Sequence, residues 1–125
     1  MRIEGVIAQG KQLGRTIGFP TANLQPAGKV NLQLKGVYAA WFEADGERLP
    51  CMVNIGHHPT LPEGAPTIEA HIFDYSGDLY GKRAAVELVA LLRPEQKFPS
   101  VEELRLQLER DKIRSLEILY PEKKA

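Results

Sequence analysis

Between Gly10 and Asn23 the chain concentrates residue types that handle phosphate and hard cations. Gly10, Gly14 and Gly18 fall every four residues, with Lys11 and Arg15 between them. Glycines let a backbone bring its amides close to phosphate oxygens, and a nearby cation adds charge. The plainer alternative is a turn-rich loop. The spacing is neither the Walker A pattern nor the dinucleotide fingerprint, and no helix is expected to follow it. Pro20-Thr21-Ala22-Asn23 comes next. In an extended segment Thr21 and Asn23 project from one face, about 7 Å apart along the strand. A hydroxyl and an amide carbonyl are hard oxygen donors suited to magnesium bridging nucleotide phosphates. The same two side chains would also serve to satisfy the backbone of a turn.

Other reactive side chains narrow the chemistry. Cys51 is the single cysteine, so an intrachain disulfide and a Cys-rich zinc site are excluded. It stands in the apolar run around Met52-Val53, which predicts a buried, inert thiol. His57, His58 and His71 form no coherent ligand pattern and read as loop and strand residues. Sixteen basic and sixteen acidic residues give zero formal charge, which argues against a nucleic-acid binder. The short basic end at Lys123 and Lys124 reads as a solvated tail. No stretch approaches the ~20 apolar residues of a membrane span, so the expected location is the cytoplasm, with no membrane partner.

The elements that must position these groups are mostly strands. The 125 residues fit one domain, 1–125, and 43% apolar content is enough for a core without disulfides or a structural metal. Arg2–Ile7, Gly36–Phe42, Arg48–Ile55, Thr67–Phe73 and Arg83–Leu92 read as strands. Ala8–Leu24 is a Gly-rich stretch with little periodicity, and His57–Pro66 and Tyr75–Lys82 are loops. Asp45-Gly46 between two apolar runs predicts a tight hairpin, and Pro50 predicts an edge position or a bulge. In Thr67–Phe73, Ile68, Ala70 and Ile72 alternate against Thr67, Glu69, His71 and Phe73, giving two distinct faces. Ser100 and Glu103 make a capping box, and Val101, Leu104, Leu108, Ile113, Leu116 and Tyr120 recur at roughly helical spacing. The fold class expected is mainly β: a small closed antiparallel Greek-key-type β-barrel of about six strands. One C-terminal α-helix, over about 100–120, packs on its outside or across an open end.

Gly10-x-x-x-Gly14-Arg15-Thr16-Ile17-Gly18-Phe19-Pro20-Thr21-Ala22-Asn23-Leu24 resembles the signature of riboflavin kinases, including the kinase half of bacterial bifunctional FAD synthetases. Further blocks follow in family order. They are Gly36-Val37-Tyr38-Ala39, Asn54-Ile55-Gly56-x-x-Pro59-Thr60 and Glu69-Ala70-His71-Ile72-Phe73-Asp74. Asp78-Leu79-Tyr80-Gly81 and Leu92-Arg93-Pro94-Glu95-x-x-Phe98 complete the set. The resemblance implies an enzyme that moves the γ-phosphate of ATP to the 5′-hydroxyl of riboflavin, yielding FMN and ADP. It implies that Thr21 and Asn23 bind Mg2+ with ATP and that Glu69 is the catalytic base. Gly10, Arg15, Ile72 and Tyr80 join Thr21 and Asn23 as ATP contacts. Arg93, Gln96 and Phe98 become flavin contacts, Gln96 standing where some members carry a lysine. Ile72 and Tyr80 also fit ordinary core and turn packing.

Bacterial relatives usually carry an FMN adenylyltransferase domain ahead of this module, and no segment here resembles it. The chain is therefore expected to be a monofunctional enzyme or an excised domain. Two other readings compete with the enzyme. One is a flavin-binding regulatory module with demoted catalysis, against which the Thr21, Asn23 and Glu69 set argues. The other is an interaction module that docks through Leu104, Leu108 and Leu116, a stripe that barrel packing explains more simply.

Overall fold

In the computed structural model, residues 1–8, 21–28, 30, 34–57, 66–75 and 77–123 are described. Gly10 and Arg15, with the rest of 9–20, lie outside them, as does His58. Six strands run in chain order: β1 (Arg2–Ala8), β2 (Ala22–Pro26), β3 (Gly36–Ala44), β4 (Glu47–His57), β5 (Pro66–Ile72) and β6 (Arg83–Arg93). Helix α1 (Val101–Leu119) and a short 3₁₀ turn (Pro121–Lys123) follow. The strands close into an antiparallel barrel in the order β1-β2-β5-β4-β3-β6. β3, β4 and β5 form a meander and β6 returns beside β3, the spatial order of a Greek key.

The interior is filled by the alternate residues that sequence periodicity assigns to it. Ile3, Ile7, Leu24, Phe42, Val53, Ile55, Ile68, Ala70, Ile72 and Val86 form one buried cluster. Such a small barrel has room inside for its own side chains only. Cys51 is fully buried there, and burial pushes its thiol far above the usual range, so it is chemically inert. The β3–β4 hairpin turns on Asp45 (φ 52°) and Gly46 (φ 77°), the two positive φ values that a type I′ turn requires. Pro50 lies opposite Trp41 in β4, and its carbonyl accepts from the Phe73 amide at 3.1 Å. Its nitrogen thus faces the side where β5 has just ended, so the missing N–H breaks no β3–β4 bond.

Two elements differ from what local pattern gives. The Gly-rich stretch with little periodicity ends in a sixth strand, β2, because Asn23-Leu24 pairs with β1 on one side and Asn23 with β5 on the other. Strand pairing, not local periodicity, makes this element. The helix packs outside the barrel on a face that keeps Leu108, Leu116 and Tyr120 of the expected stripe and leaves out Val101 and Ile113. Val101 and Ile113 are 53% and 63% exposed, while Asp111, Ser115 and Leu119 are buried. The reason is an ion pair in the contact. Arg93 Nη2 donates to Asp111 Oδ2 at 2.8 Å, Nε donates to the same carboxylate, and Gln107 Nε2 adds a bond at 2.9 Å. Around it, Leu108 and Leu116 pack on Met52 and Phe73, and Leu119 on Val37, Ala39 and Leu92. Tyr120 meets Trp41 edge-on at 5.4 Å. Ser100 caps the helix by accepting from the Glu103 amide at 3.1 Å.

The Asp111 carboxylate is 5% exposed and its partner 15%. Truncating one side of so enclosed a pair leaves the other charge stranded. Asp111→Ala is therefore expected to cost about 2–4 kcal/mol in urea unfolding, far more than Ile113→Ala on the exposed face.

Candidate active site

Antiparallel register carries a single line of residues across the barrel wall. Asn23 of β2 lies opposite Glu69 of β5, and Glu69 lies opposite Asn54 of β4. Asn54 in turn faces Val37 of β3, and Val37 faces Arg93 of β6. Directly opposed residues share a face. Since Leu24, Ile68, Ala70, Val53 and Ile55 fill the interior, the line lies on the outer face. At 4.7–4.9 Å per strand, Asn23 and Glu69 are about 5 Å apart in backbone terms, and Glu69 and Arg93 about 14 Å.

The two ends of this line gather different residues. At the β2 end, Thr21 is exposed one residue before the strand, where alternation puts it on the face of Asn23. The turn bearing Tyr80 is tied to the end of β1, with the Gly81 amide donating to Ile7 at 2.8 Å and Ile7 donating to Lys82 at 2.9 Å. Because Ile7 and Ala8 pair with Leu24 and Asn23, Tyr80 is brought to the same end, 60% exposed. Ile72 is not brought there by its side chain, which is 6% exposed and packs in the barrel interior.

At the β6 end, Arg93, Gln96 and Phe98 share one segment. The Arg93 guanidinium stands 5.5 Å from the Phe98 ring centroid. Its Nε and Nη2 are directed at Asp111, and Nη1 donates to Pro94 at 3.3 Å. Three of its five N–H groups are thereby committed within the protein. Gln96 is exposed on the loop that follows. That loop lies across β4, since a side chain at Gly56 would collide with the Glu95 carboxylate. Gly56 is two residues from Asn54 on the same outer face, so the loop flanks the middle of the line.

Sequence reading missed two residues of this arrangement. Asp111 was given no role, because nothing short of the tertiary contact reveals its partner. Asn54 did leave a signal, a polar side chain between the buried Val53 and Ile55. His71 is buried on the outer face, edge-on to Phe73 at 5.4 Å. Among the described residues, no group of three or more His, Cys, Asp or Glu is placed to hold a metal ion. The donors that fit a cation are the neutral oxygens of Thr21 and Asn23 beside the Glu69 carboxylate. That set suits magnesium held mainly by phosphate oxygens and water, as opposed to a protein cage. A cleft of about 380 Å³ opens beside the β3–β4 hairpin and the start of β6, lined by Arg2, Glu4, Glu43, Glu47, Arg48 and Arg83. Arg2 pairs there with Glu43 at 2.7 Å and with Glu4 at 3.4 Å, and the cleft contains none of the residues above.

Comparison with known proteins gives the family of the whole chain. A family model described as flavokinase, riboflavin kinase, matches residues 1–119. A bifunctional riboflavin kinase/FMN adenylyltransferase of Haemophilus influenzae is 42% identical over 111 residues, covering 88% of this chain and 36% of that protein. The protein of the same description from Bacillus subtilis is 39% identical over 113 residues, covering 88% of this chain and 36% of its own length. The chain thus spans little more than a third of the curated relatives it matches. Among solved structures, the riboflavin kinase of Trypanosoma brucei superposes with a TM-score of 0.66 at 21% identity, covering 94% of this chain and 78% of that one. A Streptococcus pneumoniae protein described as a macrolide-efflux protein superposes at 0.82 with 30% identity, covering 91% of this chain and 38% of its own.

Proposed function

The chain belongs to the riboflavin kinase family, and from the line on its outer wall we propose that it transfers the γ-phosphate of ATP to the 5′-hydroxyl of riboflavin. The observation that carries this reading is the pairing of Asn23 with Glu69. It sets a metal-suited oxygen donor one strand spacing from a carboxylate, with a phosphate-side turn at one end and an aromatic, donor-bearing loop at the other. A retired, merely flavin-binding barrel has no need of that juxtaposition.

In this reading Thr21 and Asn23 would hold Mg2+ with the nucleotide, and the metal would supply neutralisation of phosphate charge. Glu69 accepts the proton of the 5′-hydroxyl as its oxygen bonds to the γ-phosphorus. The bond from that phosphorus to the bridging oxygen breaks, and ADP leaves. Phosphoryl transfer has a loose transition state, so alignment and charge outweigh the strength of the base. Gly10 and Arg15 remain the assigned phosphate contacts, and Tyr80 flanks the nucleotide. Phe98 offers the isoalloxazine ring a flat apolar face. Gln96 and the uncommitted N–H groups of Arg93 donate to its polar edge. Arg93 also acts through Asp111, fixing the loop on the helix. FMN, the product, is what the adenylyltransferase portion of the bifunctional relatives would consume, and a cytoplasmic location suits both substrates.

Incubation with riboflavin, ATP and magnesium, followed by chromatography, should yield FMN and ADP in equal amounts; no FMN from folded protein would overturn the reading. Thr21→Ala and Asn23→Ala should each weaken ATP binding more with magnesium than without it, as calorimetry would show, at an unchanged thermal midpoint. Equal binding in wild type and both variants would remove the metal assignment. Glu69→Gln keeps the shape and loses the proton acceptor, so kcat should fall roughly 10²–10⁴-fold with riboflavin affinity little changed. Retention of more than about a tenth of wild-type kcat would mean that another group is the base.

A further inference from the structure

Asn54 occupies the middle of the line, opposite Glu69 on one side and Val37 on the other. It is exposed, whereas its strand neighbours Val53 and Ile55 are 0% and 1% exposed in the interior. Asparagine is a poor strand former, disfavoured at the centre of a sheet. Among the described residues its side chain makes no hydrogen bond that would offset that preference. Leu119 of helix α1 covers the next position, Val37, together with Ala39 and Leu92. The loop after β6 comes down beside it, through the contact of Glu95 with Gly56. Asn54 is thus an uncommitted amide on the strand between the base and the flavin-side loop.

Resting on the phosphoryl-transfer reading above, we infer that Asn54 binds the secondary hydroxyls of the polyol chain of riboflavin and positions the terminal hydroxyl against Glu69. The order of groups in the substrate demands something at this place. The 5′-hydroxyl belongs at Glu69 and the ring at Arg93 and Phe98, three strand spacings away. The intervening polyol chain must then run over β4, about 5 Å from Glu69 toward Arg93. A primary amide presents one acceptor and two donors, matching hydroxyls that both give and accept. Val37, the only other residue of the line in that interval, has no polar atom to offer. Asn54 would therefore decide for a hydroxylated chain over a plain alkyl one, because its amide is left unpaired by the latter.

The test compares riboflavin with 10-(5-hydroxypentyl)-7,8-dimethylisoalloxazine, which keeps the ring and terminal hydroxyl and lacks the secondary hydroxyls. Asn54→Ala should lower kcat/KM for riboflavin about tenfold or more, and leave the alkyl analogue within about twofold of wild type. The thermal midpoint should not move, since the residue is exposed. An equal loss on both substrates, or no loss on riboflavin, overturns the inference. Flavin affinity measured by fluorescence quenching, without ATP, separates the two claims. A wild type that makes no FMN ends the transfer reading. Even then, weaker riboflavin binding by Asn54→Ala with unchanged analogue binding would uphold the hydroxyl contact, and identical binding would refute it.

Discussion

Everything at the candidate site depends on the register between β2, β5 and β4. Side chains alternate across a sheet, so a slip of one residue would send Asn23, Glu69 and Asn54 into the barrel and bring their apolar neighbours out. The register is held by the core itself. Leu24, Ile68, Ala70, Val53 and Ile55 are each at most 1% exposed, and every slip exchanges them for polar groups. Fully burying one such aliphatic side chain is worth about 1.5–3 kcal/mol, and burying an unpartnered amide or carboxylate costs at least as much. The chemistry on the outer wall is therefore specified by packing on the inner one.

A second constraint ties the far end of the line to the barrel. The loop after β6 has few apolar residues with which to anchor itself. It is held instead by the Arg93–Asp111 pair and by the Arg93–Phe98 contact. A buried ion pair adds little net stability compared with an apolar contact of the same shape, but it enforces one geometry. Here that geometry joins the last strand, the loop and the middle of α1. The apolar contacts of Leu108, Leu116 and Leu119 dock the helix, while the ion pair sets which face meets the barrel.

Local patterning made much of this legible before any coordinates. Alternation in Thr67–Phe73 separated the core residues from Glu69, the Asp45-Gly46 pair gave the hairpin, and Ser100 marked the helix start. Two things were not fully legible, for the same physical reason. Strand β2 has no periodicity of its own because it is five residues long and is made by neighbours distant in sequence. The packed face of α1 was legible only in part because its centre, Asp111 and Ser115, is polar, and only a partner on β6 makes burial of a carboxylate tolerable. The resemblance to riboflavin kinases named Asn23 and Glu69 separately, while their adjacency came from the pairing. Asn54 lay inside a recognised block without any role, since its meaning comes wholly from the residues on either side.

The barrel's own size is consistent with a candidate site on its wall. A barrel of six strands is filled by the side chains that close it, so it has no internal cavity for a ligand to enter. The proposed substrates would instead lie along the outside, where strand rows provide a ruled surface with one residue about every 5 Å. A helix laid over part of that surface both buries the apolar rows and leaves the polar one uncovered at its margin. Val37, buried beneath Leu119, and Asn54, exposed beside it, mark that margin. The same packing that stabilises the wall thus delimits where an extended ligand could lie on it, with the Tyr80 turn at one end and the loop bearing Phe98 beside Arg93 at the other.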